Sequence, residues 1–265
     1  MSAELFARYA FPPNELGYCG PPDSSVLLRS RDDAELLRHA RGFDGAWPYL
    51  EELAAAAGLD PLDTEVVRSY WVGGALLDRV DGHRLLSRLD IAMAGQPTGL
   101  LNVVDGDGQL LAHHSFHVFV VYPWVRFLES GPATPMRILQ ACRIRWGVVS
   151  AVDGDQVVIE TPPLEFDGHR LFLGAPRPET VRWRRGGVSL VATPRPGQTV
   201  SAHWDWVCDV LDDSECHSLA AATATTLSLV NQVRGHSVSA PPQHWVTAAP
   251  RVSPGATAGG GRRRR

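Results

Sequence analysis

The chain has 265 residues, of which 44% are hydrophobic, so it is long enough for one large domain or two ordinary ones with a real core. Its formal net charge of −4 argues against a dedicated nucleic-acid-binding protein, which normally carries a basic face. All 25 basic residues are arginine, so a phosphate-binding loop of the kind that needs a lysine is excluded.

The N-terminus, from Met1 to Arg8, has neither the basic start nor the apolar segment of a secretory signal. The longest apolar run covers residues 118–125, contains a proline and is too short to cross a bilayer. We therefore expect a cytoplasmic protein with no membrane partner. In that compartment the four cysteines should be free thiols, because structural disulfides are rare there.

Residues 1–100 have the pattern of a helical region. We expect a helix over 46–57 that ends at Gly58. Asp60 and Pro61 predict the start of the next helix, because aspartate is a favourable N-cap and proline fits the first helical position. Shorter helices are expected at residues 4–10, 24–29 and 136–141.

Cys19 lies in a loop that is predicted by the glycines and prolines of residues 17–22. Functional residues are frequent in loops, and a thiol there is a candidate second soft metal ligand if the helical region folds over the rest of the chain. The other interpretation is a turn cysteine that packs under Tyr18 and Pro21.

The densest group of histidines is His113, His114 and His117. On a helix, 113 and 117 lie one turn apart and 114 adjoins 117; on a strand, 113 and 117 share a face. Imidazole suits iron, nickel or zinc, so the three are candidate metal ligands. The zincin pattern His-Glu-x-x-His is excluded, because no glutamate stands within the group. The other interpretation is a polar edge that leads into the buried segment 116–122.

Residues 142–211 have the pattern of short strands separated by turns. Segments 148–152 and 156–161 flank Asp153-Gly154-Asp155, which predicts a hairpin. Roughly five or six such strands predict a small closed barrel. A helix is expected from Asp213 to about Val233. The remaining strands are expected at 171–173, 180–183, 188–192 and 200–208.

Cys142 and His203 lie at the two ends of this region. Cys142 is expected to open the first strand, and His203 lies on the last strand. Arg143 and Arg145 follow the cysteine, where they either lower the pKa of its thiol or point outward as alternating strand residues. The other interpretations are a buried strand cysteine and a histidine that packs beside tryptophans.

The order of these features resembles the HypC/HupF family of [NiFe]-hydrogenase maturation chaperones. Cys142 matches the family cysteine, Gly147 the glycine that follows it, Gly197 the glycine before the last strand, and His203 the strand histidine. The resemblance covers about residues 142–232. The whole chain is also similar to an uncharacterised bacterial family associated with hydrogenase gene clusters.

The resemblance implies an OB-like β-barrel with a trailing helix and an accessory role in hydrogenase maturation, not an enzyme with its own turnover. It implies that Cys142 holds or delivers a transient iron–cyanide–carbonyl unit, because low-spin iron(II) favours a polarisable thiolate. His203 would orient that unit, accept the thiol proton or donate a hydrogen bond to a cyanide. The implied partners are a HypD-like scaffold and the precursor of a hydrogenase large subunit.

The sequence thus predicts an α+β chain in three parts. Residues 1–141 form a mostly helical region that selects a client or partner, 142–235 form the barrel and its helix, and 236–265 form a disordered tail. The alternative function is a metal-binding protein or metalloenzyme that uses His113, His114 and His117, with or without Cys19. Two weaker alternatives are a structural interaction module and a barrel that stacks single-stranded nucleic acid on its tryptophans.

Overall fold

The structure, a computed structural model, describes residues 2–29, 32–106 and 110–236. Helices make up its first part, and short strands followed by one long helix make up its second part. In the described residues the α-helices are α1 (Ser2–Glu15), α2 (Val26–Arg29), α3 (Asp33–Ala40), α4 (Trp47–Ala57), α5 (Thr64–Trp71), α6 (Gly82–Ala92), α7 (His114–Phe116), α8 (Ala133–Cys142) and α9 (Asp213–His236). Tighter 3-10 turns occupy Ala75–Arg79, Leu101–Val103 and Pro123–Phe127, and a π-helical turn occupies His117–Val121.

The strands are β1 (Arg145–Asp153), β2 (Gln156–Thr161), β3 (Leu164–Phe166), β4 (Leu171–Leu173), β5 (Arg177–Arg182), β6 (Arg184–Arg185), β7 (Val188–Ser189), β8 (Thr199–His203) and β9 (Trp206–Leu211). Five of them form a sheet in the order β1-β2-β5-β9-β8, which closes on itself because β8 also pairs with β1. The pairing of β5 with β9 is parallel and the other pairings are antiparallel. Strands β3–β4 and β6–β7 form two separate hairpins.

One hydrophobic core joins the helical region to the closed sheet. Tyr9 of α1 and Trp71 of α5 belong to the same buried cluster as Trp206 and Cys208 of β9. A second, valine-rich cluster fills the inside of the sheet. The larger core contains residues from both sides of the predicted domain boundary between residues 141 and 142. That boundary therefore stays a prediction.

Ion pairs also connect the helices to the sheet. Asp209 of β9 pairs with Arg8 of α1 at 3.2 Å and with Arg68 of α5 at 3.3 Å. Arg68 in turn contacts Glu215 of α9. The side chain of Asp209 is 11% exposed and its arginine partners are 29% and 30% exposed, so these partly buried pairs connect the sheet to three helices.

The predicted α+β class is confirmed, with helices first and a closing helix last. The helix over 46–57 is confirmed, and Gly58 ends it in the left-handed conformation at φ 71°. The helix start at Asp60 is wrong by three residues. Asp63 is the N-cap, because its side chain accepts from the backbone of Glu65, and the chain before it makes a turn instead.

The prediction that Cys142 opens a strand is wrong, because Cys142 is the last residue of α8 and β1 begins at Arg145. Arg145 explains the position of the helix end: its guanidinium donates to the carbonyls of Gln140 and Ala141, each at 3.0 Å. Side chains that donate to the last carbonyls stabilise a helix terminus. Arg143 and Arg145 are each 1% exposed, so the outward orientation is also wrong.

A single strand over 200–208 is wrong as well, since the chain reverses within it. His203 pairs with Trp206, and Trp204 and Asp205 form the tight turn between β8 and β9. Trp204 adopts φ 52°, a left-handed conformation that is unusual for a bulky residue. A turn that contains no glycine or proline is not marked within a strand pattern. The sequence therefore did not indicate this reversal.

The start of α9 is confirmed as a capping box. The backbone N–H of Glu215 donates to the Asp212 carboxylate at 2.8 Å, and the backbone N–H of Asp212 donates to the Glu215 carboxylate at 2.9 Å. The predicted tail at 236–265 lies outside the described residues except for His236. Within the described ranges, no helix is long and apolar enough to cross a membrane.

Candidate metal centre

A small buried cavity lies where the helical region meets β8. Its volume is about 30 Å³, which is room for roughly two water-sized atoms. Aromatic rings form much of its wall, and the half-buried Tyr18 and Tyr122 are among them. The side chains that can bind a metal are Cys19, His114, His117, Cys142 and His203. The fold therefore collects five of the six predicted ligands around one space.

Three of these side chains come closest together. One ligand atom each from His114, Cys142 and His203 lie within 4.8 Å of one another, and all three residues are buried. Metal–nitrogen and metal–sulfur bonds of about 2.1 and 2.3 Å separate tetrahedral ligands by about 3.4–3.8 Å. Side-chain shifts on the order of 1 Å would therefore bring the three atoms to coordinating distances.

His203 has the hydrogen-bonding pattern of a ready metal ligand. Its Nδ1 lies 2.7 Å from the carbonyl oxygen of Tyr9, and because a carbonyl only accepts, Nδ1 carries the proton. Its Nε2 is buried and has no hydrogen-bond partner. Burial lowers the pKa of His203 to about 3, so the ring is neutral and Nε2 holds a free lone pair. A backbone carbonyl that orients a histidine in this way is typical of metal sites.

Cys142 presents a protonated thiol to the cavity. It is 7% exposed, and burial raises the pKa of its thiol well above the usual value, while Arg145 lowers it by less. Arg145 thus lowers the pKa of the Cys142 thiol, as expected, but burial outweighs this effect and the net pKa is raised. The thiol would lose its proton when the sulfur binds a metal ion, because the ligand form is the thiolate.

His114 is held by two partners. Its Nε2 donates to the carbonyl of Cys142 at 2.9 Å, and its Nδ1 lies 3.2 Å from the hydroxyl of Tyr70. That hydroxyl has a second acceptor, the carbonyl of Gly45 at 3.1 Å. Because Tyr70 has one hydroxyl proton for two acceptors, donation to Gly45 leaves the Nδ1 lone pair of His114 unused. Burial, and to a lesser extent His203, lowers the pKa of His114, which keeps this ring neutral.

His117 reaches the same cavity through a π-helical turn. The backbone N–H of Tyr122 donates to the carbonyl of His117 at 2.8 Å, five residues back. Such π turns are rare and often occur at functional sites. Nδ1 of His117 is buried without a partner, and burial lowers its pKa to about 4. Gly45 lets this ring pack closely, because a Cβ there would lie 2.7 Å from its Nε2.

Cys19 enters the cavity from the loop between α1 and α2. The side-chain amide of Asn14 donates to the carbonyls of Cys19 and Pro21, both at 2.8 Å, which fixes the loop. Cys19 is half-buried, and burial raises the pKa of its thiol to about 12. The loop predicted at 17–22 is thus present, and its thiol faces the candidate metal centre.

His113 does not line the cavity. Its Nδ1 accepts from the backbone N–H of Ser115 at 3.0 Å, so the ring caps α7, and it is 1% exposed. Ser115 then contacts Thr226 of α9 at 2.7 Å. The geometry gives His113 a structural position, and the histidine group divides between the cavity and the core.

Three of the four candidate tryptophans are not placed to stack nucleic-acid bases. Trp183, Trp204 and Trp206 are buried, with exposures of 6%, 8% and 1%, whereas Trp146 is half-buried. A stacking platform must present its face to solvent. The aromatic contacts instead hold the cavity, where Tyr18 packs against Trp204 with ring centres 4.1 Å apart.

Tyr9 and Tyr70 support the ligands but carry no signal of that role in the sequence. Tyr9 acts through its backbone carbonyl, which every residue possesses, and Tyr70 is indistinguishable from an ordinary core residue of an amphipathic helix. Only the packing of α1 and α5 against β8 places them beside the histidines.

A model of DUF6390, a family of unknown function, matches residues 1–237. The match includes the helical region, the closed sheet, α9 and every residue that lines the cavity. No curated protein and no solved structure matches the chain.

Proposed function

The chain belongs to DUF6390, and we propose that it binds a soft transition-metal ion in the cavity through Cys142, His203 and His114. The observation that carries the proposal is the free Nε2 lone pair of the fully buried His203, a residue with a ligand atom within 4.8 Å of the Cys142 sulfur. A buried polar atom without a partner is costly, and coordination to a metal ion would satisfy it.

The donor set favours some ions over others. Sulfur and imidazole nitrogen suit zinc, iron or copper, whereas magnesium and calcium require oxygen ligands. No carboxylate is found among the described residues that line the cavity, so a hard cation would lack its preferred donors. Both histidines are neutral near pH 7, so they offer lone pairs without first losing a proton.

The narrower form of the proposal is an accessory role in [NiFe]-hydrogenase maturation. It is supported by the matches at Cys142, Gly147, Gly197 and His203, and by the closed sheet with a trailing helix, which is compatible with an OB-like barrel. In this role the cargo is the iron–cyanide–carbonyl unit, and the partners are a HypD-like scaffold and a large-subunit precursor.

The size of the cavity sets a condition on that cargo. Space for roughly two water-sized atoms accepts a bare ion, but an iron with three diatomic ligands needs more. Loading of the whole unit would therefore require the half-buried Tyr18 and Cys19 to move outward. A bare ion needs no such movement.

The second candidate function is a resident metal centre built on histidines, as in a metalloenzyme. It is favoured by the continuous segment of α7 and the π-helical turn, which together bring His114 and His117 to the cavity. His113 would take no part, since it caps α7. The two candidates differ in whether Cys142 or His117 is indispensable for the metal.

The test is metal analysis of protein purified without oxygen, as wild type, Cys142→Ala, His117→Ala and Cys208→Ala. Cys208 is the matched control, because it is a fully buried thiol of the same sheet that does not line the cavity. Stoichiometric metal in wild type and Cys208→Ala, with loss in Cys142→Ala, would support the proposal. Loss in His117→Ala alone would favour the histidine centre, and metal in none of the samples would overturn both.

Infrared spectroscopy of the same samples tests the narrower role. Cyanide and carbonyl bands in wild type that disappear in Cys142→Ala would identify the iron unit as cargo. Metal without these bands would leave a metal-binding protein of another kind. Absence of both metal and bands, with a hydrogenase subunit still co-purifying, would indicate a docking chaperone without a cargo site.

A further inference from the structure

The charge of the cavity points to a fourth ligand. The described residues that line it include no aspartate, glutamate, lysine or arginine. A divalent ion bound by the Cys142 thiolate and by the neutral His114 and His203 would keep one uncompensated positive charge. Burying an unpaired charge is strongly unfavourable, so a second anionic ligand is expected.

Cys19 is the side chain that can supply this negative charge most easily. Besides Cys142, the lining residues that can become anionic are Cys19 and the tyrosines, and a thiolate suits a soft ion better than a phenolate oxygen does. Cys19 lines the same cavity and is half-buried, so it lies nearer the solvent than Cys142 does. Tetrahedral metal sites in proteins also have four ligands. His114, Cys142 and His203 provide three of them, so one position remains.

The loop that contains Cys19 allows the sulfur to approach. The sulfur is not one of the three ligand atoms that lie within 4.8 Å of one another. Rotation of a cysteine about χ1 between staggered positions moves its sulfur by about 3 Å, without any change in the backbone. The hydrogen bonds from Asn14 hold the backbone of the loop and do not involve the sulfur of Cys19.

We infer that Cys19 is the fourth ligand, so that the site consists of two thiolates and two imidazoles and holds a divalent ion such as Zn²⁺ or Fe²⁺ as a neutral unit. This inference rests on the proposed metal-binding function. As each sulfur binds the ion, its S–H bond breaks and the proton leaves to solvent. The two thiolates that remain carry two negative charges, which balance the two positive charges of the ion. Cys19 lies nearest the solvent, so it is the ligand that would dissociate first when the ion is exchanged.

His117 is the rival fourth ligand, because its Nδ1 is buried without a partner. A third neutral imidazole would complete the coordination number but would leave the positive charge in place. Replacing His117 therefore tests whether the site needs only a fourth coordinating atom or needs a second negatively charged ligand.

The experiment is an anaerobic titration of the metal-free full chain with Co²⁺, whose thiolate charge-transfer absorption grows with the number of bound sulfurs. The variants are Cys19→Ser, Cys142→Ser, His117→Ala and Cys216→Ser. Cys216 is the matched control, as a half-buried free thiol at the start of α9 that does not line the cavity. Circular dichroism of each metal-free variant establishes that it is folded.

We expect Cys19→Ser to bind Co²⁺ at least tenfold more weakly and with about half the charge-transfer intensity per ion, since one of two sulfurs is lost. Cys216→Ser should keep the full intensity and the wild-type affinity. Because the band counts sulfurs only, His117 is judged by affinity: weaker Co²⁺ binding in His117→Ala with wild-type binding in Cys19→Ser would make His117 the fourth ligand and overturn the inference. Full intensity in Cys19→Ser would overturn the inference while leaving the metal-binding function in place. A wild type that shows no charge-transfer band on Co²⁺ addition would overturn both.

Discussion

The imidazole of His203 is oriented by the backbone carbonyl of Tyr9, 194 positions earlier in the chain, at 2.7 Å. This hydrogen bond joins α1 to β8, the strand that carries His203. It also fixes which ring nitrogen carries the proton, so that Nε2 keeps a lone pair in the cavity that Cys142 also lines. The candidate metal centre therefore depends on the docking of α1 against β8.

Replacement of His203 by alanine should destabilise the metal-free protein by about 2–4 kcal/mol, because it leaves a void and an unsatisfied Tyr9 carbonyl. The measurement is urea unfolding followed by circular dichroism. His217→Ala is the control: this exposed histidine of α9 should change the free energy of unfolding by less than about 0.5 kcal/mol. Equal effects of the two substitutions would contradict a structural bond at His203.

Acid should weaken the fold through its buried histidines. Burial lowers the pKa of His113 and His203 to about 3, whereas in the unfolded chain each returns to about 6.5. Between these values the unfolded state binds more protons. Stability is therefore fully present above about pH 6.5 and is lost as the pH falls toward 3, by about 1.4 kcal/mol per pH unit for each histidine.

The check is the free energy of unfolding in urea at about pH 7 and about pH 5. The wild type should be clearly less stable at the lower pH, and His113→Gln should reduce the difference, because one titrating group is removed. His217→Gln should not. A free energy of unfolding that is the same at both pH values would show that the rings are not held neutral by burial.

Gly45→Ala should disturb the cavity wall at a single point. The added Cβ would lie 2.7 Å from Nε2 of His117, so the ring must shift. We expect a loss of stability of about 1–3 kcal/mol, as for other overpacked sites. Gly131→Ala is the matched control, because a Cβ at Gly131 meets nothing within 4 Å. A thermal melt of Gly45→Ala that matches that of Gly131→Ala would contradict close packing against His117.

Arg145 should be required for the position of Cys142. Its buried guanidinium donates to Gln140 and Ala141 at the end of α8 and pairs with Glu179 at 3.0 Å. Arg145→Met removes a donor from the carbonyls of Gln140 and Trp204, while the partly exposed Glu179 keeps its hydrogen bond from Gln140, so we expect a destabilisation of about 1–3 kcal/mol. Arg137→Met, at an exposed position of the same helix, should have little effect on the urea midpoint. If both variants unfold at the wild-type midpoint, Arg145 does not hold the helix end.

Local sequence signals predicted the elements whose structure depends on near neighbours. Gly58 ends α4 and the Asp212–Glu215 capping box starts α9 because both effects act within one helical turn. The prediction failed at Cys142 and Trp204. There the outcome depends on contacts from distant residues, such as the guanidinium of Arg145, which also donates to the carbonyl of Trp204.

The sequence by itself determined the α+β class and a set of candidate ligands, because residue type and spacing are local properties. Only the tertiary structure decided which candidates meet: it gathered Cys19, His114, His117, Cys142 and His203 around one cavity and assigned His113 to the core. It also decided their protonation. The pKa of a thiol or an imidazole depends on burial, and burial is created by the packing of the helices against the closed sheet.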